Sequence, residues 1–443
     1  MGDPTATPPG PDGPGAPGAA GALALASFID ACPTPYHVVA EVARRLDAVG
    51  FTALDEADRW DDVAGDRYLV RGGTLIAWRA GGADALDGGI RLVGAHTDSP
   101  NLRLKPHPDT GRAGYRQVGV EVYGGALWNS WLDRDLGIAG RLVVDDPDAG
   151  PDGLRTVLVH LDEPLLRIPQ LAIHLDRGVN EHGLSLNAQQ HLQPLWGLGA
   201  VHPGAVLERV AAAAGVAPAS VTGFDLMCHD TAPSQLLGFD RAFLSAPRLD
   251  NQLSCWAGLE ALLARPAGAD GVAMLALFDH EEVGSASASG AAGAVLAAVV
   301  ERVVHGLGGD RDDLRATLAR SWCVSADGAH ATNPNYADRH DPAHVVVPNA
   351  GPVLKHNANE RYATDAASAA LFRRCCVPAY RCRSSSCAAT CRAARRSARS
   401  RPRCSASARS TSARRSWPCT RRELCGADDP ALLARALGAF LAP

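Results

Sequence analysis

The sequence predicts an α/β protein in which an α/β/α layered domain carries an inserted β-rich domain. Three observations predict it. Apolar strand-like runs alternate with helical patterns over residues 23–105 and again over 246–443, the alternation expected of a sheet covered by helices. Residues 106–245 instead string short β runs together with little helical pattern. Several runs in the outer region also end abruptly in acidic and imidazole side chains, and open α/β sheets collect ligands beyond the carboxyl ends of their strands.

The elements follow in order. Residues 1–22 are rich in Pro and Gly and lack a basic leader segment, so they read as a disordered lead-in and not as a signal peptide. ALASFIDACPTPYHVVAEVARRLDAVGF predicts two helices broken at Pro33 and Pro35. GTLIAWRA and GGIRLVGAHT read as strands with Gly punctuation. In the insert, GVEVYG, GRLVV and RTVLVHL are strands, and VLERVAAAAGV is a helix. LDNQLSCWAGLEALLAR then predicts an amphipathic helix, GVAMLALFDHEE a strand, and GAVLAAVVERVVHGL a helix. SWCVSADGAH gives a further strand, and AHVVVPNAGPVLKHNANERYAT one more.

The bulk numbers exclude some functions. The chain has 443 residues, 46% of them hydrophobic and 21% charged, which suits a sizeable core. No apolar run is long enough to span a bilayer, so no membrane partner is expected and the expected location is the cytoplasm. Net charge is −5, but residues 375–421 hold 12 Arg and no acid. The rest carries 31 basic against 48 acidic residues, near −17, which argues against a nucleic-acid partner. Seven of the 12 Cys also lie in 375–421. The other five are scattered, as reduced cytosolic thiols are.

Three segments carry the chemistry. IRLVGAHTDSP brings His96 and Asp98, VAMLALFDHEEVGS brings Asp279, His280, Glu281 and Glu282, and WCVSADGAH brings Asp327 and His330. SAPRLDNQ adds Asp250 and Asn251 just before a helix. Carboxylates mixed with imidazole suit zinc, manganese or cobalt, and bound dications relieve the repulsion of converging acids. Each residue alone has a plainer explanation: a turn or cap Asp, a solvated Glu pair, a satisfied core His. Their shared position at strand ends points to a dinuclear metal site.

The segments GAHTDSPNLRLKP, YGGALWNSWLDRDLGIAGRL, LAIHLDRGVN, SAPRLDNQ, FDHEEVGS, SADGAHATNPNY and GPVLKHNANERYATD occur in this order. The series closely resembles the aspartyl aminopeptidase family, cocatalytic zinc exopeptidases of clan MH, over roughly residues 24–374 and 422–443. The resemblance implies a metallopeptidase domain with an inserted β-rich dimerisation domain. It implies two zinc ions per subunit, with manganese or cobalt as alternatives, held by His96, a bridging Asp250, Glu282 and Asp327. Asp98 would orient the His96 ring and Glu281 would act as general base. His174 would reach substrate, across a subunit boundary, or serve as a ligand. Lys355 would line the specificity pocket and favour an N-terminal Asp or Glu on peptide substrates, although Glu360 replaces a usual Gln. A large homo-oligomer, such as a tetrahedral dodecamer built through the β-rich domain, is also implied.

The resemblance breaks after Phe372 and resumes at RELCGADD. A Cys-Gly-Ser-Thr-Ile-Gly turn and a Met-His-Ser segment, whose His is the family's last metal ligand, are both missing. Pro418-Cys419-Thr420-Arg421 can be encoded so that a one-base shift reads Met-His-Ser. Residues 390–398 can be encoded so that the same shift reads Met-Pro-Cys-Gly-Ser-Thr-Ile-Gly. Residues 375–421 are therefore expected to be out of frame. Three rival readings follow from the same residues. One is a catalytically impaired relative lacking the C-terminal His. Another is a basic polyanion-binding or zinc-binding tail, although no paired C-x-x-C occurs there. The last is a related amidohydrolase of small acylated compounds.

Overall fold

A computed structural model describes residues 17–82, 84–150, 152–376, 383–386, 409–410, 412–413, 415–416 and 422–442. Most of 375–421, and the proposed reading-frame segments within it, therefore lie outside the described residues, as do residues 1–16. Helix α1 (Pro17–Ala31) begins earlier than the expected Leu23, and Gly21 lets it approach Ala431. Helix α2 (Pro35–Asp47) starts with a proline in its first turn, where the missing N–H costs nothing.

The strands of the outer domain begin with β1 (Thr52–Ala53), β2 (Gly65–Arg71), β3 (Thr74–Gly81) and β4 (Ile90–His96). The insert follows with β5 (Asn101–Arg112), β6 (Tyr115–Tyr123), β7 (Asp135–Asp145), β8 (Leu154–Arg167), β9 (Leu195–Leu198), α3 (Ala205–Ala214) and β10 (Val221–Asp230). These strands close into a barrel in the order β10-β5-β6-β9-β8-β7. Its strands run from Asn101 to Asp230, whereas the sequence suggested 106–245. The difference is physical: β5 starts directly after the HTDSP turn, and the next two strands pair elsewhere.

Those two are β11 (Gln235–Leu237) and β12 (Phe243–Ala246). Helix α4 (Leu249–Ala264), β13 (Gly271–Phe278), α5 (Val295–Gly306), α6 (Arg311–Arg320), β14 (Trp322–Ser325), β15 (Ala329–His330), β16 (Val353–His356) and α7 (Ala366–Cys375) come next. After the short strands at 383–386, 409–410, 412–413 and 415–416, the chain ends in β17 (Glu423–Gly426) and α8 (Asp429–Leu441). β12 pairs with β17, register Leu244↔Cys425. The last residues thus rejoin the fold as a strand and a helix with a buried face that includes Leu433, Leu437 and Phe440.

The main sheet runs β1-β2-β3-β13-β4-β14, with the strand at 409–410 on its edge. β13, β4 and β14 are adjacent and parallel, with Phe278 opposite His96 and Ser325 opposite Gly94. Their carboxyl ends therefore open side by side. Helices α1, α2, α4 and α8 share one apolar core with the sheet, and α5 packs on the other face through Val295, Val299 and Val303. Helix α4 is buried nearly all round, not amphipathic as its sequence suggested, because α8 covers the side turned away from the sheet. No helix among the described residues is long and apolar enough to cross a membrane.

Gly258 is what lets α4 lie close to the sheet. A Cβ there would stand 2.6 Å from Leu275 Cδ1 and 3.3 Å from Val93 Cγ1. Gly258→Val should therefore overpack this contact and cost about 1–3 kcal/mol, read as a lower midpoint in urea unfolding. An unchanged midpoint would mean that α4 can move off the sheet freely.

Candidate metal centre

The site is built at the joined carboxyl ends of β13, β4 and β14. His96 closes β4 and is buried. Its Nε2 lies 3.6 Å from Asp250 Oδ1, 3.5 Å from Asp327 Oδ1 and 3.9 Å from Glu281 Oε2. Its Nδ1 faces the Asp98 carbonyl at 3.0 Å and the Asp98 carboxylate at 3.4 Å. One ring nitrogen is thus held from behind while the other looks into a ring of acids. Burial opposes protonation of His96, but the contacts with Asp250, Asp327 and Asp98 push its pKa well above the usual imidazole range.

Each acid is aimed by a backbone device. After β13 the chain turns through His280 at φ 64° into a short 3-10 turn, Glu281–Val283. A left-handed non-glycine residue is strained and is held only by its surroundings. Arg248, at φ 53°, likewise precedes α4 and presents Asp250. The Asp250 carbonyl accepts from Ser99 Oγ at 2.7 Å, and its N–H donates to Glu423 Oε2 at 2.6 Å. Gly328 follows Asp327, where a Cβ would stand 3.0 Å from the Asp250 carboxylate.

Asp98 joins the pieces. Its Oδ1 accepts from Glu281 N–H at 3.0 Å, and its Oδ2 from Glu282 N–H at 3.0 Å and Tyr123 OH at 2.7 Å. Burial would raise its pKa, yet the contact with His96 and these donors hold it below the usual carboxylate range. Glu282 is the opposite case. Burial first, then the nearby charges of Asp250, Glu281 and Asp98, push it up to about 9 despite the lowering effect of His96.

Two sets of donors come within reach of a single ion: His96 with Asp250 and Asp327, and His96 with Glu281 and Glu282. They share one imidazole and otherwise offer carboxylate oxygens, a donor set that suits zinc. So many carboxylates converging in one place fit a dication that neutralises them.

The remaining expected residues fall outside these sets. Lys355 is buried, donates from Nζ to Asp327 Oδ2 at 2.9 Å and to the Gly328 carbonyl, and lies over the Tyr362 ring. His174 sits exposed in the loop after β8 and joins no metal-capable group among the described residues. Asp279 is buried and accepts from the His280 N–H, while His280 Nδ1 meets Ser287 Oγ. Asn251 anchors to the Ala326 carbonyl at 2.8 Å. His330 lies on β15 outside these groups.

Sequence reasoning passed over Tyr123 and Glu423. Tyr123 ends a barrel strand and looks like any strand aromatic, because its partner is 25 residues away in sequence. The Gly-Gly after it was the available signal: a Cβ at Gly124 would stand 2.9 Å from Glu282 Cβ.

The family model of aminopeptidase I zinc metalloproteases, M18, matches residues 28–382. A probable M18 family aminopeptidase 2 of Streptomyces coelicolor is 48% identical over 439 residues, covering 95% of this chain and 97% of its own length. A protein of the same description from Mycobacterium leprae is 51% identical over 355 residues, 80% of this chain and 82% of its own length. Among solved structures, the mApe1 dodecamer of S. cerevisiae superposes with TM-score 0.79 at 27% identity, over 95% of each chain.

Tyr123→Phe removes a buried hydrogen bond to a charged group, worth about 1.5–3 kcal/mol. Zinc affinity, measured by competition with a chromophoric chelator, should fall by less than the roughly 10- to 100-fold that loss of a direct partner of a metal ligand causes, because Tyr123 acts through Asp98. An unaltered affinity would show that Asp98 needs no help from the barrel.

Proposed function

The chain belongs to the M18 family of zinc aminopeptidases, and we propose that it removes N-terminal residues, acidic ones by preference, from peptides by a two-metal activated water. The observation that carries this reading is the buried His96 Nε2 facing Asp250, Asp327 and Glu281 at 3.5–3.9 Å. His96, Asp250, Glu282 and Asp327 would hold two zinc ions per subunit, with manganese or cobalt as alternatives. Zinc held by these residues would supply an acidified water and polarise the scissile carbonyl. Glu281 takes the proton of the attacking water and delivers it to the leaving amine. Asp98 keeps the His96 ring fixed through Nδ1 and holds the Glu281 and Glu282 backbone in place. The proposed setting is the cytoplasm, and the proposed assembly is a homo-oligomer built through the barrel. The dodecameric state of the yeast relative supports the latter.

Acidic preference rests on Lys355. Its ion pair with Asp327 favours a second reading, in which Lys355 serves that carboxylate and not the substrate. Lys355→Met separates the two. Loss of a substrate contact lowers kcat/KM for Asp-p-nitroanilide roughly ten- to hundredfold and leaves Leu-p-nitroanilide nearly unchanged. Equal loss on both would discard acidic recognition by Lys355. Glu281→Gln should retain zinc and lower kcat by about 10²- to 10⁴-fold; a variant with near-normal turnover would remove Glu281 as the base.

The family model's match ends at residue 382, inside the Arg-rich stretch. We read 375–421 as a frame-shifted segment that replaces the last metal-binding His. Its lack of Leu, Ile and Phe beside the return of β17 and α8 to the core supports this. Sequencing the gene should give codons for 390–398 and 418–421 that read as the two missing segments after a one-base shift. Other codons would end the idea. A chain restored to frame should hydrolyse Asp- or Leu-p-nitroanilide with added zinc faster than the unrestored chain, and equal rates would show that the replaced His is dispensable.

A further inference from the structure

A second group of donors lies on the barrel and shares no residue with the His96 cluster. His160, Asp162 and His229 each offer one ligand atom, and these atoms lie within 4.8 Å of one another. His160 and Asp162 are two apart on β8, so they share a face. His229 comes from β10, on the other side of β7.

Three strands should keep these side chains apart, and Gly137 is why they do not. It sits on β7 opposite His229, at an irregularity in the β7–β8 register. A Cβ there would stand 2.5 Å from His229 Nε2. Without one, the buried His229 ring lies across β7 and meets His160 at 4.9 Å between ring centroids. Any other residue at 137 would close this gap.

Both ring nitrogens meet backbone carbonyls. His229 Nδ1 faces the Asp230 carbonyl at 3.2 Å, and Nε2 faces the Leu161 carbonyl at 3.3 Å. A neutral imidazole has one N–H, so only one carbonyl can be served and the other nitrogen presents its lone pair. Of the two tautomers these contacts allow, the one with Nδ1–H on the Asp230 carbonyl and Nε2 unprotonated is the arrangement of metal-binding histidines. Burial, then the Arg248 charge, holds His229 neutral, with its pKa pushed down to about 3. The groups facing it are Arg248, His160, Asp162 and Asp230, and the Asp230 carboxylate is itself paired with Arg134 and Arg422. His229 also lines a cavity with Thr34, Asp230 and Arg248.

We propose that His160, Asp162 and His229 form a second transition-metal site that takes a borderline dication of the zinc or nickel class. Two imidazoles and one carboxylate with room for a further ligand suit such an ion. His37 is the nearest addition. Its ring lies 5.7 Å from that of His160, and its Nδ1 meets Thr34 Oγ1 at 2.7 Å. A metal recruiting it would clamp α2 of the catalytic domain to the barrel.

The test counts zinc after equilibrium dialysis of the full chain against micromolar zinc. It compares the wild type with the His160→Ala/Asp162→Asn double variant. The same pair is then measured with His96→Ala added. The double change should remove one zinc equivalent in both backgrounds, so failure of the His96 site cannot mimic failure of this one. Equal counts with and without the double change overturn the proposal. If the double variant does not fold, His160→Gln alone, an exposed substitution, gives the same comparison with the same two outcomes.

Discussion

The buried carboxylate of Asp98 is the constraint on which the rest of the site depends. A charge removed from water must be fully hydrogen-bonded or it destabilises the fold. Asp98 takes its donors from the turn after β13 and from the end of barrel strand β6, and it faces the ring at the end of β4. Satisfying it therefore docks the inserted barrel onto the sheet and sets Glu281 and Glu282 around His96. The same chain of contacts explains Gly124, which lets the barrel approach Glu282.

Around this anchor the sheet does the gathering. β13, β4 and β14 are parallel neighbours, so three acid-bearing turns emerge side by side. Asp250 arrives from a different direction, at the start of α4, and is tied to the last strand through Glu423. The C-terminal β17 and α8 are thus part of the site's support as well as of the core. That gives physical weight to the contrast with residues 375–421. A segment without acids and almost without large aliphatic side chains offers little apolar surface to bury against such a core.

Much of this was legible in the sequence. The strand ends at His96, Asp279 and Asp327 stand out because apolar runs stop at charged groups, and the break between α1 and α2 is written in Pro33 and Pro35. Other features were not. α4 reads as amphipathic but is buried nearly all round, since a second helix from the far end of the chain covers it. The barrel takes Asn101–Lys105 from what looked like the first domain, because strand pairing and not composition sets that boundary. Lys355 reads as a substrate contact from sequence, which gives no sign that its Nζ donates to Asp327 and the Gly328 carbonyl.

The sequence alone determined the chemistry available: an ordered set of His, Asp and Glu at strand ends, and the family those segments resemble. It also exposed the Arg-rich stretch, because composition is a local property. Tertiary structure alone decided which of those groups meet. Asp98 with Tyr123, Asp250 with Glu423, and His229 with His160 across Gly137 are all contacts between segments distant in the chain. Their distances follow from sheet register and domain docking, which hydrophobic burial imposes on the whole chain at once and no local pattern records.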